Sequence, residues 1–316
     1  MVHAIFSNNA ITSNEIPYYA MNIYNFFRLP VLTLFWASCL VNAVHAQDVP
    51  NNLKWKTLFD GIEHVQFTID QPQLNVNVLR IDATNPKLRF HTTSRSKDWV
   101  ADENETDRRI LTDSVIEENM AVAVNANFYR PFNAQTRVSR GPADNLGLVV
   151  SQGVLVSPTM DNYPSFIQNK DSSVEIRTVL QNDSLDNIQT AVSGRCLVLK
   201  DGKNPFSDEQ VNSLEYLKNR HPRTLVGISQ DKKYVYLVTI DGRQPNFSVG
   251  TSLFECANIL LQLGAYDAVN LDGGGSTTMV YRPQNDKPVV LNRPVGLGPV
   301  NTLRHNANAL GVQIAP

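Results

Sequence analysis

Cysteine is scarce in this chain, with three residues among 316 at Cys39, Cys196 and Cys256. That density excludes a disulfide framework of the kind that staples small secreted folds. It leaves open whether Cys196 and Cys256 form one bridge or stand as two buried thiols. Charge of one sign is lacking as well: 28 Lys+Arg face 30 Asp+Glu, for a net charge of −2. Nucleic-acid binding by counterion release needs a basic surface, so no nucleic-acid partner is expected. Charged residues make up 18% of the chain against 42% hydrophobic, a balance that excludes disorder. Gly (16) and Pro (17) are too few for a collagen-like or linker-dominated chain. His64, His91, His221 and His305 show no H-x-x-x-H pairing and no nearby Cys, so no zinc site is indicated. No calcium-loop motif is visible either; no cofactor is expected, and a divalent metal held by scattered Asp and Asn stays open.

Long apolar runs are also absent. The best stretch, Leu29–Val44, falls short of the ~20 residues needed to cross a bilayer, and polar Asn42 and His45 close it. Arg28 precedes it, and small residues at Val44 and Ala46 follow, ahead of Gln47. A charged start, an apolar middle and a small-residue end describe a secretory signal peptide. Residues 1–46 are therefore expected to be a signal peptide with an upstream extension, Met21 being the better start. Residues 47–316 are expected to form one exported domain. Lipid attachment at Cys39 ranks second, because Trp36 is a poor leader and the apolar run continues past the cysteine.

The mature part is dominated by short runs of Val, Ile, Leu and Tyr bounded by Gly, Asp, Asn or Pro, the pattern of strands. They are His64–Ile69, Leu74–Ile81, Lys87–Thr92, Ala121–Asn125, Leu146–Val150, Val174–Val179, Cys196–Leu199, Thr224–Ser229, Tyr234–Ile240, Ala268–Leu271, Thr277–Tyr281 and Ala309–Ile314. Two helices are expected. Asp107–Asn119 carries Ile110, Leu111, Val115 and Ile116 near the helical period, with Thr106 as its cap. Ser252 and Glu255 form a capping box ahead of a second helix, which Gly264 stops. The fold class is α+β (mixed α/β), an extensive mixed or antiparallel sheet with a few packed helices in a single domain.

Chemistry concentrates in Ala268–Tyr281, AVNLDGGGSTTMVY. An apolar strand delivers Asp272 and then three consecutive glycines, whose conformational cost ordinary packing does not explain. Such glycines bring bare N–H groups close to a ligand and make an anion-binding concavity. The stretch is not a Walker A loop, since no Lys follows the glycines, and it lacks the last Gly of G-x-S-x-G. It also lacks the spacing of a dinucleotide fingerprint. His221-Pro222-Arg223 leads into another strand, where Arg223 could make a two-point contact to phosphate. Asp241-Gly242-Arg243 places a second carboxylate at a strand end. Val122–Arg130 offers amides and aromatic rings suited to a sugar.

Together these segments resemble the phosphodiester glycosidase family. The resemblance rests on Val124–Tyr129, Gly194–Lys203, Pro222–Gly227, Ile240–Arg243, Leu263–Asp267 and, most specifically, Ala268–Met279. At one place the pattern departs from the family: Ala126-Asn127 stands where the family has Gly-Gly. The resemblance implies hydrolysis of a sugar-1-phosphodiester at the anomeric carbon, releasing free sugar and a phosphomonoester. Cell-surface or extracellular polysaccharide is the implied target. Asp272 and Asp241 would be the carboxylate pair of a glycosidase, with Arg223 neutralising the phosphate. Substrate and phosphate contacts would come from Asn125, Asn127, Arg130, Gly194, Asn270, Gly273, Gly274, Gly275, Ser276 and Thr277. The partner is a carbohydrate phosphodiester, and no stable protein partner is expected. Two rival readings are a non-catalytic binder of anionic glycans and a phosphodiesterase cutting the other P–O bond.

Overall fold

In the computed structural model, alternation of side chains along the strands decides the architecture. Residues 49–206, 210, 214–284 and 287–315 are described, so the signal segment expected over 1–46 lies outside them. One seven-stranded antiparallel sheet runs in the order Lys56–Phe59, Ile62–Asp70, Gln73–Asp82, Tyr234–Ile240, Arg223–Ile228, Asp267–Asn270, Cys196–Leu199. In the central strands, even positions such as Val76, Val78 and Val238 face one side, against Cys256, Ile259 and Leu260 of the helix Leu253–Leu263. Odd positions such as Leu79, Ile81, Val235 and Leu237 face the other side. There they meet Val122, Val124, Met279, Leu310 and Val312. These belong to a five-stranded sheet ordered Val289–Val290, Met279–Tyr281, Val122–Asn125, Ala309–Ile314, Leu88–Thr92. Phe166 and Val192 join the same core from a further five-stranded sheet, Val154–Ser157, Val149–Ser151, Ile188–Ser193, Pro164–Asn169, Val174–Thr178. Burial on both faces explains why the strand Tyr234–Ile240 reads YVYLVTI without polar alternation although its neighbours are antiparallel. The α+β class and sheet-rich, largely antiparallel construction follow the expectation.

Local signals hold where they were complete. Ser252 Oγ accepts from Glu255 N–H, Glu255 Oε2 accepts from Ser252 N–H, and Gly264 ends the helix at φ 97°. The first helix is shorter than expected, Leu111–Glu117, and Ile110 precedes it with no side-chain cap. Thr106 is instead in the short strand Thr106–Asp107, which pairs with Pro142–Asn145. A strand partner absent from the local pattern thus overrides the capping signal. Leu146–Val150 is likewise corrected: the strand is Val149–Ser151, and Gly147 turns the chain ahead of it at φ 89°. The strand expected from Thr277 begins at Met279, because Gly274–Ser276 forms a single 3₁₀ turn that Thr277 closes. Cys196 and Cys256 are free thiols.

Candidate active site

Three neighbouring strands of the seven-stranded sheet bring the expected residues to one edge. Arg223 opens the middle strand and pairs across to Ile240, just before Asp241. On its other side Leu271 N–H donates to Thr224 O, one residue before Asp272. The order 241, 223, 272 across the edge is thus set by strand pairing.

Asp272 is held by its backbone from both sides. Its N–H donates to Ala126 O at 2.8 Å, and its carbonyl accepts from Asn125 Nδ2 at 2.6 Å. Gly273 N–H donates to Asp272 Oδ1 at 2.9 Å, and the nearby Ser276 hydroxyl favours the ionised carboxylate. Burial pushes the Asp272 carboxyl up to about 6, against the opposing pull of Ser276 and Arg304. It lines a cleft of about 500 Å³ together with Phe128, Tyr129, Phe132, Leu146, Gly273–Gly275, His221 and four arginines, Arg137, Arg223, Arg243 and Arg304. That volume is within the usual range for small-molecule sites.

None of these four arginines makes an ion pair with a carboxylate among the described residues. Two of them, Arg223 and Arg304, are buried at 8% exposure, where an uncompensated charge is costly. Backbone carbonyls hold them instead. Arg223 Nε donates to Thr251 O at 3.1 Å and Nη2 to Asn219 O at 2.9 Å. Arg304 Nε donates to Gly296 O at 3.1 Å. Arg243 is exposed, at φ 58°, and its Nη2 donates to His221 Nδ1 at 3.3 Å. An arginine can only donate, so Nδ1 of His221 is the bare nitrogen and the ring is neutral. Burial first, then Arg223 and Arg243, lower the His221 pKa in keeping with that.

The glycines serve the arginines as much as any ligand. A Cβ at Gly275 would lie 2.2 Å from Arg304 Nη2, and one at Gly274 would lie 3.2 Å from Arg243 Nη2. Gly273 abuts Pro222 O, which a Cβ would approach to 2.7 Å. Three of the four amides from Gly273 to Ser276 are already spent, on Asp272 Oδ1, Pro222 O and Gly273 O. Among them Gly275 N–H alone has no partner among the described residues, so the expected amide cradle reduces to this one donor.

Several other expected contacts are corrected. Asp241 does not line the cleft: it is 1% exposed, with Oδ1 accepting from Asn292 Nδ2 and Arg293 N–H, each at 3.0 Å. Its Oδ2 is buried without a hydrogen-bond partner, and burial pushes the carboxyl up to about 6. Asn125 is buried scaffolding: Oδ1 accepts from Thr224 Oγ1 and Thr278 N–H while Nδ2 fixes Asp272. Asn127 binds Leu146 O, Ser193 N–H and Asn308 Nδ2, all within the protein. The side chains that replace Gly-Gly, Ala126 and Asn127, are therefore buried in the scaffold and do not line the cleft. Gly194 marks a backbone crossing, since a Cβ there would sit 2.1 Å from Asn270 O. Asn270, Ser276 and Thr277 are buried and do not line the cleft, Ser276 acting through Asp272. Arg130 is exposed outside the cleft, its Nε 3.4 Å from Asp144 Oδ2. Asp144, Asp102 and Glu105 carry carboxylate oxygens within 4.8 Å of one another, the one group with metal-ligand proximity among the described residues. That group also lies outside the cleft lining.

Arg304 and Arg137 had no sequence signal, since each sits in a loop without periodicity. Tyr129 donates its hydroxyl to His305 O at 2.7 Å and packs edge-on against Phe132, 5.7 Å between ring centroids. The cleft thus joins one carboxylate, four unpaired guanidiniums and aromatic rings, a combination suited to a phosphorylated sugar.

Solved structures that share the fold include the following three. A zebrafish N-acetylglucosamine-1-phosphodiester α-N-acetylglucosaminidase catalytic domain, auto-inhibited by its pro-peptide, is 17% identical, with a TM-score of 0.60 over 83% of this chain and 87% of that one. A hypothetical protein from Synechocystis is 16% identical at a TM-score of 0.60 over 84% of this chain, which spans 64% of that longer one. A putative exported protein from Burkholderia pseudomallei is 16% identical at a TM-score of 0.53 over 76% of this chain and 74% of that one. No curated protein sequence matches. The family model described as phosphodiester glycosidase matches residues 118–313, which take in Asp272, its scaffold and all four cleft arginines, and the chain belongs to that family.

Proposed function

We propose that this protein hydrolyses a sugar-1-phosphodiester at the anomeric carbon. The observation that carries this reading is the convergence of four arginines without carboxylate partners on a cleft with one carboxylate, Asp272. Phosphate leaving groups depart without a proton, so one well-placed carboxylate is sufficient. Arg223 and Arg243, with Gly275 N–H, neutralise the phosphate as the C1–O bond breaks and its electron pair passes to the phosphate oxygen. Asp272 is ionised above about pH 6 and faces the oxocarbenium-like carbon. There it takes the proton of the attacking water or attacks C1 itself. Tyr129 and Phe132 supply the faces against which a sugar ring packs. Buried Asp241 positions the Asn292–Arg293 backbone in this account. The segment Arg28–Ala46 supports export, and a cell-surface or extracellular polysaccharide is the substrate in view.

The test is incubation with an α-GlcNAc-1-phosphodiester, identifying both products, with Asp272→Asn alongside. Free sugar with a phosphomonoester is the expected result. Sugar 1-phosphate would mean cleavage of the P–O bond to the aglycone instead, and binding without turnover across sugar phosphodiesters would mean a glycan-binding protein. N-terminal sequencing of exported material is expected to begin at or near Gln47.

A further inference from the structure

The cleft holds more positive charge than a phosphodiester needs. Four guanidiniums face one carboxylate, and a phosphodiester adds a single negative charge, leaving two positive charges uncompensated. Burial is the main cause that lowers the Arg304 pKa; Asp272 and Tyr129 oppose it, and Arg137 and Arg243 add to the lowering. Three of the arginines have defined attachments: Arg223 to two carbonyls, Arg304 to Gly296 O with Asp272 nearby, and Arg243 to His221. Arg137 differs. Its guanidinium has no hydrogen-bond or ion-pair partner among the described residues and only stands 5.8 Å from the Phe132 ring centroid.

Its backbone, in contrast, is fixed. Asn133 Oδ1 accepts from the Gln135 and Thr136 amides, at 2.9 and 3.0 Å, in the turn that precedes Arg137. Arg137 O then accepts from His305 N–H at 3.0 Å, tying the turn to the segment that carries Arg304. A rigid stem with a half-buried, unengaged guanidinium at the aromatic rim is a preorganised anion contact.

Building on the phosphodiester reading, we propose that Arg137 recognises a second anionic group on the substrate, either a carboxylate on the sugar or a further phosphate on the aglycone. The substrate class is then a sugar-1-phosphodiester with at least two negative charges, and Arg137 is its specificity determinant. Three probes separate the sources: GlcNAc-1-phosphomethyl, its C6-carboxylate analogue, and GlcNAc-1-phosphate esterified to glycerol phosphate. One of the two probes with a second anionic group is expected to exceed the methyl ester in kcat/KM by at least about tenfold, equivalent to about 1.4 kcal/mol. Which probe does so identifies the source. Arg137→Gln should collapse that ratio to about one. Arg89→Gln, whose arginine donates to Pro86 O and Leu88 O, controls for net charge and should leave the ratio intact. Equal use of all three probes, or an undiminished ratio in Arg137→Gln, overturns the proposal. If no probe is cleaved, the hydrolytic reading fails separately. Titration calorimetry with the same probes and variants then decides the second-anion contact by the same ratio.

Discussion

Replacing Asp241 with Asn distinguishes a catalytic carboxylate from a structural one. Asp241 is enclosed, with Oδ1 used twice and Oδ2 without a partner, and burial moves its pKa from 3.8 to about 6. The folded protein therefore keeps this proton at pH values where the unfolded chain has released it. Stability falls as pH rises from about 3.8 to about 6, and above about 6 the full cost of the buried anion is present. At 1.36 kcal/mol per pH unit that cost is about 3 kcal/mol, a ceiling for what Asn can relieve. The amide retains an oxygen to accept from Asn292 and Arg293 N–H, so the knot it ties should survive. Urea unfolding at pH 4 and pH 8 is the assay, with turnover measured on the same preparations. Asp241→Asn should match the parent at pH 4, exceed it by about 1–3 kcal/mol at pH 8, and keep turnover within about tenfold. A variant that is stable at pH 8 yet slower by a hundredfold or more would place Asp241 in the chemistry and refute this reasoning. Lower stability at pH 8 would show that the fold depends on the anion.

Asp272→Asn should reduce kcat by about 10²–10⁴ with little change in melting temperature, and a rate above a tenth of the parent removes Asp272 from catalysis. The parent's kcat/KM should rise with pH and level off above about 6, as Asp272 ionises; a profile flat from pH 4 to 8 contradicts its assignment as the working anion. Arg223→Lys keeps the charge but cannot hold Thr251 O and Asn219 O while facing phosphate, so KM should rise, at about 1.5–3 kcal/mol per charge-assisted bond lost. Gly275→Ala would bring a methyl within 2.2 Å of Arg304 Nη2 and should lower kcat/KM at least about tenfold, and parent-like kinetics would show that Arg304 can shift without consequence.

Much of the site was legible because its signals are local. Asp272 followed by three glycines states an unusual backbone at a strand end, and Ser252-x-x-Glu255 states a helix start, whatever surrounds them. Strand pairing then added what spacing along the chain does not contain, the order Asp241, Arg223, Asp272 across one sheet edge. Asp241 and Asp272 look alike in sequence, each at a strand end before glycine, and tertiary packing separates them. One carboxylate opens onto the cleft, while Asn292 and Arg293, some fifty residues along, enclose the other. Asn125 and Asn127 have the amides a sugar site would use, yet long-range partners consume those amides in holding the scaffold. Arg137 and Arg304 come from aperiodic loops, so only the packed chain could bring their guanidiniums to the cleft that Asp272 lines. By itself the sequence determined six strands of the seven-stranded sheet, the capped helix and the glycine loop, because propensity and periodicity act between near neighbours. The tertiary structure decided which polar groups face the ligand, because burial and charge balance depend on residues distant in sequence.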